Sequence, residues 1–177
     1  MPWAVMSGYA DEGETAAGAF YTAVDVQDFR LRVTGVTLSY DNRVEVSVAQ
    51  QAFEIKGVAG DIRQEIFSAK VRVAGDLIYG SMPQIATGVQ FKNLLDGDIA
   101  EAVGADAADA GMDGYVSFTR LHLGAVGGYN LLWNLSLRAT KANQMGLLGY
   151  GGDENAGYQL MPEASVAVLL DNGLAVG

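Results

Sequence analysis

The chain has 177 residues, half of them hydrophobic, with 21 acidic against 11 basic side chains and a formal net charge of −10. That balance argues against nucleic acid as a partner, since phosphate recognition wants a basic surface, and the absence of cysteine removes disulfides and thiolate metal ligands. The length suits one domain, residues 1–177, and 23 glycines against three prolines suit short strands and tight turns better than disorder.

Met1 is followed directly by Pro2, Trp3, Ala4 and Val5, with neither a basic leader nor the apolar run of a signal peptide. Residues 3–9 read as a first strand, and the acidic run Asp11, Glu12, Gly13, Glu14 as a turn. A second strand covers residues 17–26, with Phe20, Thr22, Val24 and Val26 on one side. A corner at Gln27 and Asp28 leads into a third over 29–40, where Arg30, Arg32 and Thr34 share a parity. Asp41 and Asn42 form a two-residue hairpin loop, and the fourth strand, 43–53, sets Val44, Val46 and Val48 against Glu45 and Ser47.

After a loop at 57–61, the fifth strand, 65–75, alternates Phe67, Ala69, Val71 and Val73 with Ser68, Lys70 and Arg72. A turn at 80–82 precedes the sixth, 84–92, in which Ile85, Thr87, Val89 and Phe91 oppose Gln84, Gln90 and Lys92. Residues 94–112 form an acidic, alanine-rich insertion, with a helical turn or two over 98–103 capped by Asp98. The seventh strand, 115–123, puts Arg120 and His122 on the parity of Val116 and Phe118. The run 121–137 carries no formal charge, yet Gly127, Gly128, Asn130 and Asn134 break it, so it does not supply the apolar helix of about 20 residues that spans a membrane.

The eighth strand, within 129–143, alternates most cleanly: Leu131, Trp133, Leu135, Leu137 and Ala139 on one parity, Asn134, Ser136, Arg138 and Thr140 on the other. A glycine-rich loop, 146–157, leads to a ninth over 160–170, where Ala164, Val166, Val168 and Leu170 oppose Glu163 and Ser165. Asp171, Asn172 and Gly173 signal a further turn, after which a strand has barely begun, so the chain reads as a fragment of a longer protein.

Alternation of this kind suits either a soluble sheet with its apolar face inward or a membrane barrel with its apolar face on lipid. Two patterns favour the second. The connections at 41–42, 80–82, 124–128 and 171–173 are short and those between them long, apart from 27–28, as in barrels with tight turns at one end and long loops at the other. The basic residues Arg30, Arg32, Arg43, Lys70, Arg72, Lys92, Arg120, Arg138 and Lys141 lie on or at the ends of strands, whereas the acids concentrate in turns and loops. The expected fold is therefore all-β, an antiparallel up-and-down transmembrane β-barrel, present as an incomplete fragment of about nine to ten strands.

On that reading the lumen is lined by Arg30, Arg32, Glu45, Lys70, Arg72, Gln90, Lys92, Arg138 and Glu163. The acids at these positions, chiefly Glu45 and Glu163, are too few to neutralise the bases, so the lumen is expected to be net positive and a pore through it to favour small anionic solutes. The alternative is a structural or interaction barrel with acidic external loops and a plugged, non-conducting lumen. Trp3, Tyr129 and Trp133 are the candidate interfacial aromatics. Leu135→Arg is expected to be costly and Ser136→Arg nearly harmless.

The segments PWAVMSGYA, AGAFYTAVDVQDFRL, AKVRVAGD, MPQIATGVQFK, LRATKANQMGLLGYGGD and LMPEASVAVLL resemble those of an uncharacterised proteobacterial outer-membrane β-barrel family, a domain of unknown function. The resemblance runs over essentially the whole chain, and LRATKANQ with its glycine-rich continuation is its most specific part. It implies a barrel fold and a bacterial outer-membrane location, among lipid and lipopolysaccharide. It implies no reaction and transfers no catalytic residue. Members of that family begin before the position of Pro2, with a signal peptide, and continue past that of Gly177.

No chemistry is assembled by the residues themselves. His122 is the single histidine, and without a second or any cysteine the usual zinc sites cannot be built. Asp96, Asp98, Asp106 and Asp109 lack the regular spacing of a calcium loop and read as a loop facing solvent or lipopolysaccharide. The GYGGD run from Gly149 lacks the helix and lysine of a phosphate loop and reads as a flexible hairpin loop. No nucleophile stands with a base, so no enzyme, cofactor or metal is expected.

Overall fold

The computed structural model describes residues 2–8, 12–57, 61–95, 108–147, 149–152, 157–171 and 173–177. Nine strands follow one another in a single sheet: β1 (Thr15–Asp25), β2 (Phe29–Tyr40), β3 (Val44–Ile55), β4 (Asp61–Ala74), β5 (Gln84–Leu94), β6 (Ala110–Val126), β7 (Tyr129–Thr140), β8 (Gln159–Leu169) and β9 (Ala175–Val176). Each is antiparallel to the next and their spatial order is their sequence order, so the sheet is an up-and-down meander curled into a half-barrel. β1 and β9 do not pair with each other.

Local chemistry sets the turns. Asp41 and Asn42 both adopt positive φ, 58° and 45°, the backbone of a two-residue hairpin whose twist matches its strands. Their register carries through β2 and β3, from Tyr40↔Val44 to Phe29↔Ile55 without a shift. This turn, the connections after β4 and β8, and Gly127–Gly128 lie at one end of the sheet; the connections after β1, β3, β5 and β7 lie at the other, and apart from the three residues after β1 these include the longest ones.

The alternation resolves into an apolar convex face and a polar concave one. Val36, Leu38, Val46, Phe67, Phe91 and Leu135 stand outward, Val36 57% and Leu135 50% exposed. The opposite parity buries Ser39, Glu45, Gln64, Lys70, Gln84, Lys92, Asp113, Ser117, Thr119, Asn134, Ser136, Arg138 and Thr140. Among the described residues, apolar burial on the concave side is sparse: Ala4 with Met6 and Ala86, Ile62 with Leu94, against which Phe53 and Leu147 pack, and the rings of Tyr115 and Tyr150. The polarity is the reverse of a soluble core.

Several elements differ from the sequence expectation. Residues 3–9 were expected to form a strand; residues 2–8 are not a strand, but cross the concave face and bond to its side chains. β4 starts at Asp61, four residues early, because Asp61, Arg63 and Glu65 occupy convex positions where an apolar pattern was sought. β6 runs from Ala110 and absorbs the end of the expected insertion. The helical turn at 98–103 and the acids Asp96, Asp98 and Asp106 lie outside the described residues. Near the β1 edge the polarity contrast fades: Phe20 registers with Gly35 and Val24 with Leu31 on the concave parity, and Phe29 stacks on Phe53 at 5.5 Å.

Candidate functional site

The concave face is built in three layers between the short-turn end and the long-loop end. Nearest the short turns lies a strap, residues 2–8, held by side chains from β2 to β7. The Pro2 carbonyl accepts from Ser136 Oγ at 2.7 Å and from Ser117 Oγ and Asn134 Nδ2 at 3.1 Å. The Ala4 amide donates to Thr119 Oγ1 at 2.9 Å, and the Ala4 carbonyl accepts from Gln84 Nε2 at 2.6 Å. Lys70 Nζ donates to the carbonyls of Val5 at 2.6 Å and Trp3 at 3.3 Å, and pairs with Glu45 at 2.9 Å. Glu45 accepts the Ser7 amide, and Ser39 Oγ donates to the Ser7 carbonyl at 2.6 Å. Buried polar groups are stable only when satisfied, and here each satisfies another.

The middle layer is ionic. Asp113 on β6, fully buried, forms an ion pair with Lys92 of β5 at 2.7 Å and lies 3.6 Å from Arg138 of β7. Arg138 extends the chain to Glu163 of β8 at 2.8 Å, and Thr140 Oγ1 donates to the other Asp113 oxygen. Asp113 thereby ties three strands, and Arg138 with Glu163 carries the network to a fourth.

The third layer closes the long-loop end. Tyr150, between β7 and β8, forms bridges with Ala108 and Ala142 and is buried against β6, its hydroxyl accepting from Gln64 Nε2. Two glycines make the space. A Cβ on Gly111 would meet the Tyr150 ring at 2.1 Å, and one on Gly146, whose φ is +96°, would meet its hydroxyl at 2.1 Å. Burial, and then the charge of Asp113, push the Tyr150 hydroxyl pKa up, so it remains protonated. The part of the glycine-rich loop expected to be a flexible hairpin is thus a plug; residues 153–156 lie outside the described set.

The expected lumen residues divide. Glu45, Lys70, Lys92 and Arg138 are buried on the concave face; Glu163, Gln90 and Arg72 are half-buried there. Arg72 donates to the Gly75 carbonyl at 3.0 Å and stands 3.8 Å from Asp76. Arg30 and Arg32 correct the expectation, since they share the parity of the exposed Val36 and Leu38 and lie on the convex face. There they pair with acids near the long-loop end: Arg30 with Asp25 at 2.8 Å and Glu54 at 3.5 Å, Arg32 with Asp61 at 3.2 Å. On β2 the arginines stand opposite Leu31, Val33 and Gly35, so the charged parity of this strand is the outward one.

Trp3 also departs from expectation, since it belongs to the strap on the concave side and not to an outward girdle. Tyr129 and Trp133 are on the convex parity at the short-turn end, where Trp133 Nε1 donates to His122 Nε2 at 3.0 Å. The sequence reading missed Asp113, Gln64 and Tyr150. Asp113 was legible in principle, because it continues the parity of Ser117 and Thr119 against Met112, Val116 and Phe118.

A meandering antiparallel half-barrel, apolar outside and hydrogen-bonded inside, is a β-barrel type of protein. The family described as "Protein of unknown function (DUF3034)" matches residues 1–177, and the chain belongs to it. No curated protein and no solved structure matched the chain.

Proposed function

We propose that the chain is an outer-membrane β-barrel protein whose interior is packed, serving a structural or interaction role and carrying out no catalysis. The observation that supports it is the reversed polarity: half-exposed Val36, Leu38, Phe67, Phe91 and Leu135 outside, buried Asp113, Asn134 and Arg138 inside. Water disfavours that convex surface, and lipid removes the cost at about 25 cal/mol per Å² of apolar area covered. The lengths fit as well, since β1 to β8 have 11 to 17 residues and a tilted strand crosses a bilayer in about 9–11. Toward the long-loop end the apolar band gives way to the paired charges of Asp25, Arg30, Arg32, Glu54 and Asp61, suited to headgroups and lipopolysaccharide. In lipid, the free edge of β1 and the part of β8 beyond its two β9 partners need strand partners, because unpaired backbone groups are not tolerated there.

The packed interior is favoured over an anion pore by the pairing of the cations. Lys70, Lys92 and Arg138 each stand within hydrogen-bonding distance of a carboxylate, and the strap crosses the same space. The expectation of too few acids overlooked Asp113. In planar bilayers the protein is expected to give no stable conductance steps. Reproducible anion-selective steps would overturn the packed reading and restore the pore.

A further inference from the structure

The strap is recognised almost wholly through its main chain. Side chains of the sheet bind the carbonyls of Pro2, Trp3, Ala4, Val5 and Ser7 and the amides of Ala4 and Ser7. The side-chain requirements are few: Ala4 and Met6 are buried against Ala86, so the seat takes a small residue and, two positions on, a slim apolar one. A row of donors and acceptors that reads backbone is the chemistry of an extended-peptide site. A cleft of about 290 Å³ lined by Val5, Met6, Arg72, Leu77 and Gln84 runs beside the strap.

We propose that the row Ser39, Glu45, Lys70, Gln84, Thr119, Asn134 and Ser136 is a binding site for an extended peptide, occupied in cis by residues 2–8 and able to take a peptide of the same small–x–apolar pattern in trans. The strap is then a displaceable plug. The few residues between Gly8 and Thr15 join it to β1, and a tether that short sets an effective concentration of about millimolar against a competitor. A free peptide therefore displaces it at millimolar concentration, and binds more tightly where the strap cannot seat.

The inference rests on the packed-interior reading, but bilayer conductance tests that reading and peptide binding tests this one. The probe is a fluorescent peptide of sequence PWAVMSG, added to the detergent-refolded protein. Ala4→Arg, which leaves no room against Ala86, is expected to bind it saturably and at least about ten-fold more tightly than the unchanged protein. The same peptide with Arg at its alanine should bind neither. Equal binding of both peptides, or none to the folded variant, overturns the proposal. Should Ala4→Arg not fold, Met6→Cys introduces the single thiol of the chain at a buried strap position. Millimolar PWAVMSG is expected to raise its maleimide labelling rate several-fold, and an unchanged rate overturns the proposal equally.

Discussion

Asp113→Ala is expected to destabilise the folded protein by about 3–5 kcal/mol, the cost of breaking a buried ion pair by removing one partner. Asp113 is wholly buried, 2.7 Å from Lys92 and 3.6 Å from Arg138, and it accepts from Thr140. Arg138 keeps Glu163, but Lys92, itself only 4% exposed, loses its sole ion-pair partner among the described residues. The double change Lys92→Met with Asp113→Leu is expected to recover most of the loss, since well-packed apolar replacements of buried pairs are often neutral. Urea titration of the refolded protein, read by its heat-modifiable gel mobility, measures both. A loss under about 0.5 kcal/mol in the single variant, the range of ordinary surface changes, would contradict the assignment.

Leu135→Arg carries the second large effect, about 2–4 kcal/mol in lipid if the position lies near the bilayer midplane. Leu135 is 50% exposed and registers with Phe118 and Ala164 on an apolar convex face. In a water-soluble sheet the same substitution at a half-exposed site would change stability by no more than about 0.5 kcal/mol, so the two architectures separate clearly. Its neighbour requires a revised expectation. Ser136→Arg looked harmless for a roomy lumen, but Ser136 is 5% exposed and bonded to Pro2, Ser117 and Asn134, so arginine there expels the strap. Folding yields of both variants in vesicles, by the same gel assay, are expected to fall.

Strand periodicity made most of the fold legible. The alternation of Leu135 and Leu137 with Ser136 and Arg138, and the short turn at Asp41 and Asn42, predict β7 and the β2–β3 hairpin nearly to the residue. Parity could not say which of the two sets was inside where each mixes polar with apolar residues. On β2 the concave set is Leu31, Val33, Gly35, Thr37 and Ser39, and the arginines lie opposite it, a placement decided by the neighbouring acids Asp25, Glu54 and Asp61 on other strands. The strap was illegible for a different reason. Residues 3–9 alternate well enough for a strand, and only the polar row on six other strands, assembled by the fold, turns them into a ligand of the sheet. Tyr150 likewise depends on space left by Gly111, about forty residues earlier, a pairing no local pattern encodes.

The central claim, apolar surface on lipid and packed polar surface within, is tested most directly by the two tryptophans, which fall on opposite faces. In vesicles of lipid brominated high on the acyl chains, the Trp3→Phe variant leaves Trp133 as sole emitter and is expected to be strongly quenched. Trp133→Phe, which leaves Trp3 on the concave side, is expected to keep most of its fluorescence. Equal quenching of the two, or none of Trp133 in vesicle-bound protein, would contradict the account.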